Sequence, residues 1–237
     1  MVIVYTFDST VNEDEEKNIV IKNYYLESIN RAKKLGYTVE MYTNCDWFTN
    51  VVDRLYIRER RSLLWDSYKF IPLLERKDNF ILLDGDVFLD DKINLSTIHD
   101  VLFDTYETGN WNLLYARSVN KLTELGIKEI IPEWKAIPQE VMSCGFLYFN
   151  DLEFREFYTD RWHKAERFIT EHREELDLYT CTATAAQYLL TILCNHYHKT
   201  RYHYSESLGI PNSFYTHHAG KDKYKGHKIR GISKTLT

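Results

Sequence analysis

Asp84 and Asp86 flank a single glycine at the end of an apolar run, Phe80-Ile81-Leu82-Leu83, and a second apolar run, Val87-Phe88-Leu89, follows at once. A strand that stops at Asp-Gly-Asp sets two carboxylates on one side of a turn. Gly85 lets the backbone bend there and lets a ligand approach closely. Two hard oxygen donors suit Mg²⁺ or Mn²⁺, and such an ion bridges to a diphosphate. The competing reading is a solvent-exposed Asp-Gly turn joining the two strands of a hairpin. Apolar flanks on both sides favour the first reading, because a solvent hairpin needs no such flanks.

A second group of chemically capable residues lies far downstream, in Thr216-His217-His218-Ala219-Gly220-Lys221-Asp222-Lys223. A neutral imidazole completes a metal sphere begun by carboxylates. Nearby lysines neutralise a departing diphosphate. The alternative is a solvated basic tail with incidental histidines, since Lys221, Lys223, Lys225, Lys228 and Arg230 cluster here in an otherwise acidic chain.

Stepping along the chain gives the elements that must hold these groups. Val2–Phe7 reads as a buried first strand, followed by loop chemistry at Asp8-Ser9-Thr10. Residues 13–35 carry Ile19, Ile21, Tyr25, Ile29 and Ala32 at helical spacing and stop at Gly36. Tyr37–Tyr42 is a second strand, so a parallel β-α-β unit is expected. Residues 52–75 read as one or two helices, Asn79–Leu83 as a strand buried on both faces, and Trp111–Tyr115 as another strand. Residues 118–140, with Pro132 and Pro138, read as a partly irregular excursion. Ser143–Asn150 is a strand, Glu153–Glu174 and Thr182–Leu193 are helices, and Arg201–Tyr204 is strand-like. This order predicts a single three-layer α/β domain with a mostly parallel central sheet. Ligands in such sheets bind at the carboxyl ends of the strands, where Asp84–Asp86 falls.

Composition bounds the rest. A chain of 237 residues suffices for one sizeable α/β domain but not for two. A net charge of −5 argues against a polyanion binder held by bulk electrostatics. Cys45, Cys144, Cys181 and Cys194 form no CxxC pair, so a disulfide framework or zinc knuckle is not expected and a reducing, cytoplasmic compartment fits. No apolar run approaches the ~20 residues of a membrane span.

At this point the sequence resembles the GT-A glycosyltransferases, most of all the branch with glycogenin and the bacterial lipopolysaccharide galactosyltransferases. Four stretches carry the resemblance. Phe80–Val87 is similar to the family's DxD strand. Trp65 and Lys69 stand where the family has a helix with a basic residue near the donor. Ser143–Asn150 is similar to its Asn-small-Gly strand, with Ser143 in place of Asn. His217, Gly220 and Lys223 repeat its His, Gly and Lys spacing.

The resemblance implies a Rossmann-like GT-A domain. Residues 1–115 would form the nucleotide-sugar half, 116–224 the acceptor side, and 225–237 a basic tail. It implies a metal-dependent transfer of a hexose from a UDP-sugar, with Mn²⁺ or Mg²⁺ held by Asp84, Asp86 and His217. Tyr5, Thr6, Asp8, Lys69, Asp84, Gly85, Gly145, Gly220 and Lys223 would contact the donor, with Tyr5 either stacking on uracil or serving as a core aromatic. Lys69 would pair with Asp84 or touch phosphate. Asp86, Gln187 and Lys223 would act in catalysis. Where the family often has an acidic residue before the glutamine, this chain has Ala186, so retention of configuration is expected. The acceptor stays open among a glycan, a lipid-linked sugar, a protein and a modified nucleic-acid base. A sugar-phosphate nucleotidyltransferase is disfavoured by the acidic stretch Asp8–Glu15, where such enzymes carry a glycine-rich basic loop. A non-catalytic sugar-nucleotide or glycan binding module also remains open.

Overall fold

The computed structural model describes residues 1–10, 15–59, 62–64, 66–95, 99–107, 110–135, 140–203 and 215–217. In chain order these form β1 (Val2–Phe7), α1 (Glu15–Lys34), β2 (Thr38–Thr43), β3 (Arg54–Ile57), α2 (Phe70–Glu75), β4 (Ile81–Leu83) and β5 (Val87–Leu89). Then come β6 (Val101–Phe103), β7 (Tyr106–Glu107), α3 (Asn110–Glu124), β8 (Val141–Met142), β9 (Phe146–Phe149) and α4 (Leu152–Glu171). The remaining elements are α5 (Leu178–Ala183), α6 (Leu189–His196), β10 (Arg201–His203) and β11 (Tyr215–His217).

The central sheet has seven strands in the order β10-β6-β9-β4-β1-β2-β3. Strands β2 and β4 flank β1 in parallel, β3 extends β2 in parallel, and β10 runs parallel to β6. Only β9 runs against its neighbours β4 and β6. The expected mostly parallel three-layer sheet is therefore what the chain forms. Alternate residues of β1 show the layers. Ile3, Tyr5 and Phe7 pack with Ile29 and Ala32 of α1. Val4 faces the opposite layer, which holds Phe70 and Leu73 of α2, Tyr115 of α3, Tyr158 and Trp162 of α4 and Leu189 of α6. Phe70 and Trp162 stack there at 3.8 Å between ring centroids.

The stop of α1 follows the sequence. Gly36 adopts φ +81°, its N–H donates to Lys33 O, and the Tyr37 N–H reaches back to Ala32 O, which satisfies carbonyls the helix leaves open.

Two elements depart from expectation. Arg54–Ile57 is an edge strand rather than part of a helix, because its backbone adds to β2 in a parallel ladder. Its two inner residues are only half-buried, so it carries no apolar period to betray it. Residues 110–124 are helical, not a strand at 111–115. Tyr115, Val119 and Leu122 are buried at helical spacing. A five-residue apolar run is too short to distinguish the two periods. Among the described residues no helix is long and apolar enough to cross a membrane.

Candidate active site

The carboxyl ends of β1, β4 and β6, together with the start of the antiparallel β9, meet at one edge of the sheet. Asp84 follows β4 directly, and its N–H donates to Gly145 O at 2.8 Å. Gly145 thus stitches the entry of β9 to the acidic corner. The hairpin reading of Asp84-Gly85-Asp86 is not what forms. β4 pairs with β1 and β9, whereas β5 pairs antiparallel with β11 in a separate small sheet. The triplet is a crossover between two sheets.

The register of that second sheet sets His217 opposite Val87, the residue after Asp86. Residues far apart in sequence are thus brought to one corner by backbone hydrogen bonds. The backbone of His217 is described, but its side chain lies outside the description, as do His218, Gly220, Lys223, the basic tail and Trp65.

Lys69 ends a short 3₁₀ turn, Ser67–Lys69, that leads into α2. Its Nζ donates to Asp84 Oδ2 at 2.9 Å and lies 3.2 Å from Asp66 Oδ1. The pairing expected of Lys69 is therefore with Asp84. Burial would pull the Lys69 ammonium down, but the carboxylates of Asp66 and Asp84 hold it well above the ordinary lysine value. Burial raises the Asp84 carboxyl, Lys69 opposes that, and Asp86 and Asp66 push it higher. Asp66 is itself raised by burial, against Lys69, and its Oδ2 is buried without a hydrogen-bond partner. Two carboxylates, Asp66 and Asp84, thus act on one lysine.

Gly85 has a different role from the one its turn suggests. Its φ is not in the left-handed region. Instead the Tyr25 ring occupies the space where a β-carbon would sit, with Cδ2 2.2 Å from that position. The Tyr25 hydroxyl donates to Thr6 O at 2.6 Å, so α1 ties the ends of β1 and β4 together.

The remaining donor-side positions are placed as follows. Tyr5 is fully buried, and its hydroxyl pairs with Ser28 Oγ at 2.9 Å. This corrects the stacking reading: Tyr5 is a core aromatic with no exposed face for a base. Asp8 Oδ1 accepts from Thr10 N–H at 2.9 Å, from Thr10 Oγ1 at 2.6 Å and from Asn44 Nδ2 at 3.0 Å. Asn44 Oδ1 in turn accepts from Ser9 N–H and Oγ. The loop after β1 is therefore organised around its own side chains.

Its sequence matches no family profile, and no curated protein matches it. The chain resembles a solved galactosyltransferase. That structure is LgtC in complex with donor and acceptor sugar analogs; it shares 11% identity over 78% of this chain and 70% of its own, with a TM-score of 0.41.

Sequence reasoning missed three acidic residues that the fold brings here. Asp66 joins through Lys69, a partner three residues on that a helical turn would bring alongside. Asp104 follows β6 and is fully buried, with Ser143 Oγ 3.3 Å from its Oδ2. Its signal was an apolar run, Val101–Phe103, ending in aspartate, the same pattern as Ile81–Asp84. Glu107 ends β7 and is buried beside Gln187, which the sequence had singled out alone. Among the described residues no three His, Cys, Asp or Glu side chains form a group that could hold a metal.

Proposed function

We infer that this chain is a glycosyltransferase that moves a hexose from a UDP-sugar, UDP-glucose or UDP-galactose, to an acceptor, with a divalent ion and with retention of configuration. The observation that carries the reading is the β5–β11 register, which sets the backbone of His217 opposite Val87 beside the acidic triplet.

The carboxylates of Asp84 and Asp86 are the hard oxygen donors that a divalent cation takes. Asp66, Asp84 and Asp86 outnumber Lys69 at this corner, and burial, with Asp86 and Asp66 adding to it, raises Asp84. Asp84, Asp86 and His217 would hold Mn²⁺ or Mg²⁺, and the ion would supply charge stabilisation for a departing diphosphate. Lys69 holds Asp84 in place through its hydrogen bond. Thr6, Asp8 and Gly145 would border the donor, and Gly220 and Lys223 would contact its diphosphate. Gln187 faces the sugar. The acidic stretch Asp8–Glu15, where a nucleotidyltransferase carries a glycine-rich basic loop, argues against that reading. The acceptor is a glycan, lipid-linked sugar, protein or modified nucleic-acid base.

The test is thermal stability and donor hydrolysis with UDP-glucose and UDP-galactose, with and without Mn²⁺. Ligand linkage raises the melting temperature for the true donor, by about 2.7 kcal/mol of stabilisation at a hundredfold excess over Kd. No shift and no hydrolysis with either donor would sink the reading. Retention is checked by the anomeric coupling constant of the transferred sugar in the product.

A further inference from the structure

The carboxylate absent from the sequence beside Gln187 is supplied by the fold. Glu107 lies just beyond the carboxyl end of β6, in the short β7–β8 ladder, where it pairs with Val141. Gln187 approaches it from the helical layer. One terminal atom of the Gln187 amide lies 2.9 and 3.1 Å from the two Glu107 oxygens and 2.6 Å from Tyr115 Oη. The orientation of the amide follows from the partners. An ionised carboxylate only accepts, and Tyr115 gives its single proton to Glu107 at 2.5 Å, so at Gln187 its oxygen accepts. The amide nitrogen therefore faces Glu107 and Tyr115, and Oε1 is left for another partner.

The backbone under Gln187 supports a presenting role. Thr184–Tyr188 forms a π-helical turn between α5 and α6, and its other four residues are buried while Gln187 is half-buried. Such turns interrupt a regular helix and concentrate at functional positions. The cluster also adjoins the acidic corner. Gly145 O takes the Asp84 N–H, and Ser143 N–H donates to Thr105 O, two residues before Glu107. Cys144, between them, is pushed up by burial and by the fields of Asp66, Asp84 and Glu107, against Lys69.

We propose that Glu107 is a positioning residue for the proposed transfer: it holds the nitrogen of the Gln187 amide, through direct contact and through Tyr115, so that Oε1 is presented to a hydroxyl of the donor hexose. The proposal rests on the glycosyltransferase reading.

The experiment compares wild type, Glu107→Gln, and the exchanged pair Glu107→Gln with Gln187→Glu, in Mn²⁺-dependent hydrolysis of UDP-galactose and UDP-glucose. In Glu107→Gln the new amide donates to Gln187, which then turns its oxygen inward and its nitrogen outward. A misdirected group of this kind lowers kcat on the order of 100-fold, with KM nearly unchanged. The exchanged pair restores an outward oxygen and recovers most of the loss, which a merely structural role would not do. An unchanged kcat in Glu107→Gln, or a loss that the exchange leaves unrelieved, overturns the proposal while the glycosyltransferase reading stands. A wild type that hydrolyses neither donor overturns both. Side-chain ¹⁵N spectra provide a second readout: the Gln187 NH₂ signals are expected to move in Glu107→Gln, and signals that stay in place overturn the contact itself.

Discussion

The ring of Tyr25 packs onto Gly85 so tightly that a β-carbon on Gly85 would lie 2.2 Å from Tyr25 Cδ2 and 2.4 Å from Cε2 and Cγ. The ring has little room to retreat. Phe7 lies 5.1 Å away between centroids and Phe48 5.8 Å, and the Tyr25 hydroxyl is fixed on Thr6 O. The glycine between the two aspartates is thus required by a helix packing against the turn, not by the turn's own dihedral angles.

Gly85→Ala is therefore expected to destabilise the fold by overpacking, by about 1–3 kcal/mol, in urea denaturation. Adding Tyr25→Ala removes the obstruction, so the double variant is expected to be no less stable than Tyr25→Ala alone. Additive losses in this cycle would place the strain elsewhere.

Lys69 stands between two carboxylates, and its side chain is 10% exposed against 2% for Asp66. Lys69→Met leaves that charge without its cation and is expected to cost about 3–5 kcal/mol, as breaking a buried pair does. Lys69→Met with Asp66→Asn removes one of the stranded charges and is expected to recover part of the loss. The comparison is read from denaturant midpoints.

Asp86→Ala is expected to abolish donor hydrolysis while leaving the circular dichroism spectrum and melting temperature close to wild type. Asp86 sits half-buried at a crossover between sheets rather than in a core layer. EDTA is expected to stop wild-type hydrolysis and Mn²⁺ to restore it. Full activity in the variant or in EDTA would remove the metal from the reading.

Acid stability has an identifiable contributor at the start of α4. Burial would raise Asp151, but the Lys199 ammonium at 2.5 Å and the Phe154 N–H at 2.9 Å bring its carboxyl below the ordinary value. A folded-state value below the unfolded one, about 3.9, means that the stabilisation is complete above that pH and disappears as pH falls through the folded value. Asp151→Asn keeps an oxygen to cap the helix but does not titrate. Its urea midpoint is expected to be lower than wild type at pH 7 and to fall less steeply below about pH 4. Parallel curves for the two proteins would show that the pair adds nothing to acid sensitivity.

The sequence by itself determined what local chemistry determines. The runs Val2–Phe7 and Ile81–Leu83, the helical spacing of α1 with its Gly36 stop, and the helices around 152–171 and 178–196 were legible, because period, caps and turn residues act over a few neighbouring positions. The same local reading found Asp84-Gly85-Asp86 at a strand end, while Lys69 and Gln187 came only from the resemblance to the glycosyltransferase family. It failed at β3 and α3, where short segments carry no decisive period and their partners settle the conformation. Only the tertiary structure decided that β5 leaves the main sheet to pair with β11, that Gly85 is needed by Tyr25, that Tyr5 is committed to the core, and that Asp66 and Glu107 join the site. Most of those contacts join segments distant in sequence. They are fixed by how helices and strands pack, and pairings between distant segments leave no pattern in the residues on either side.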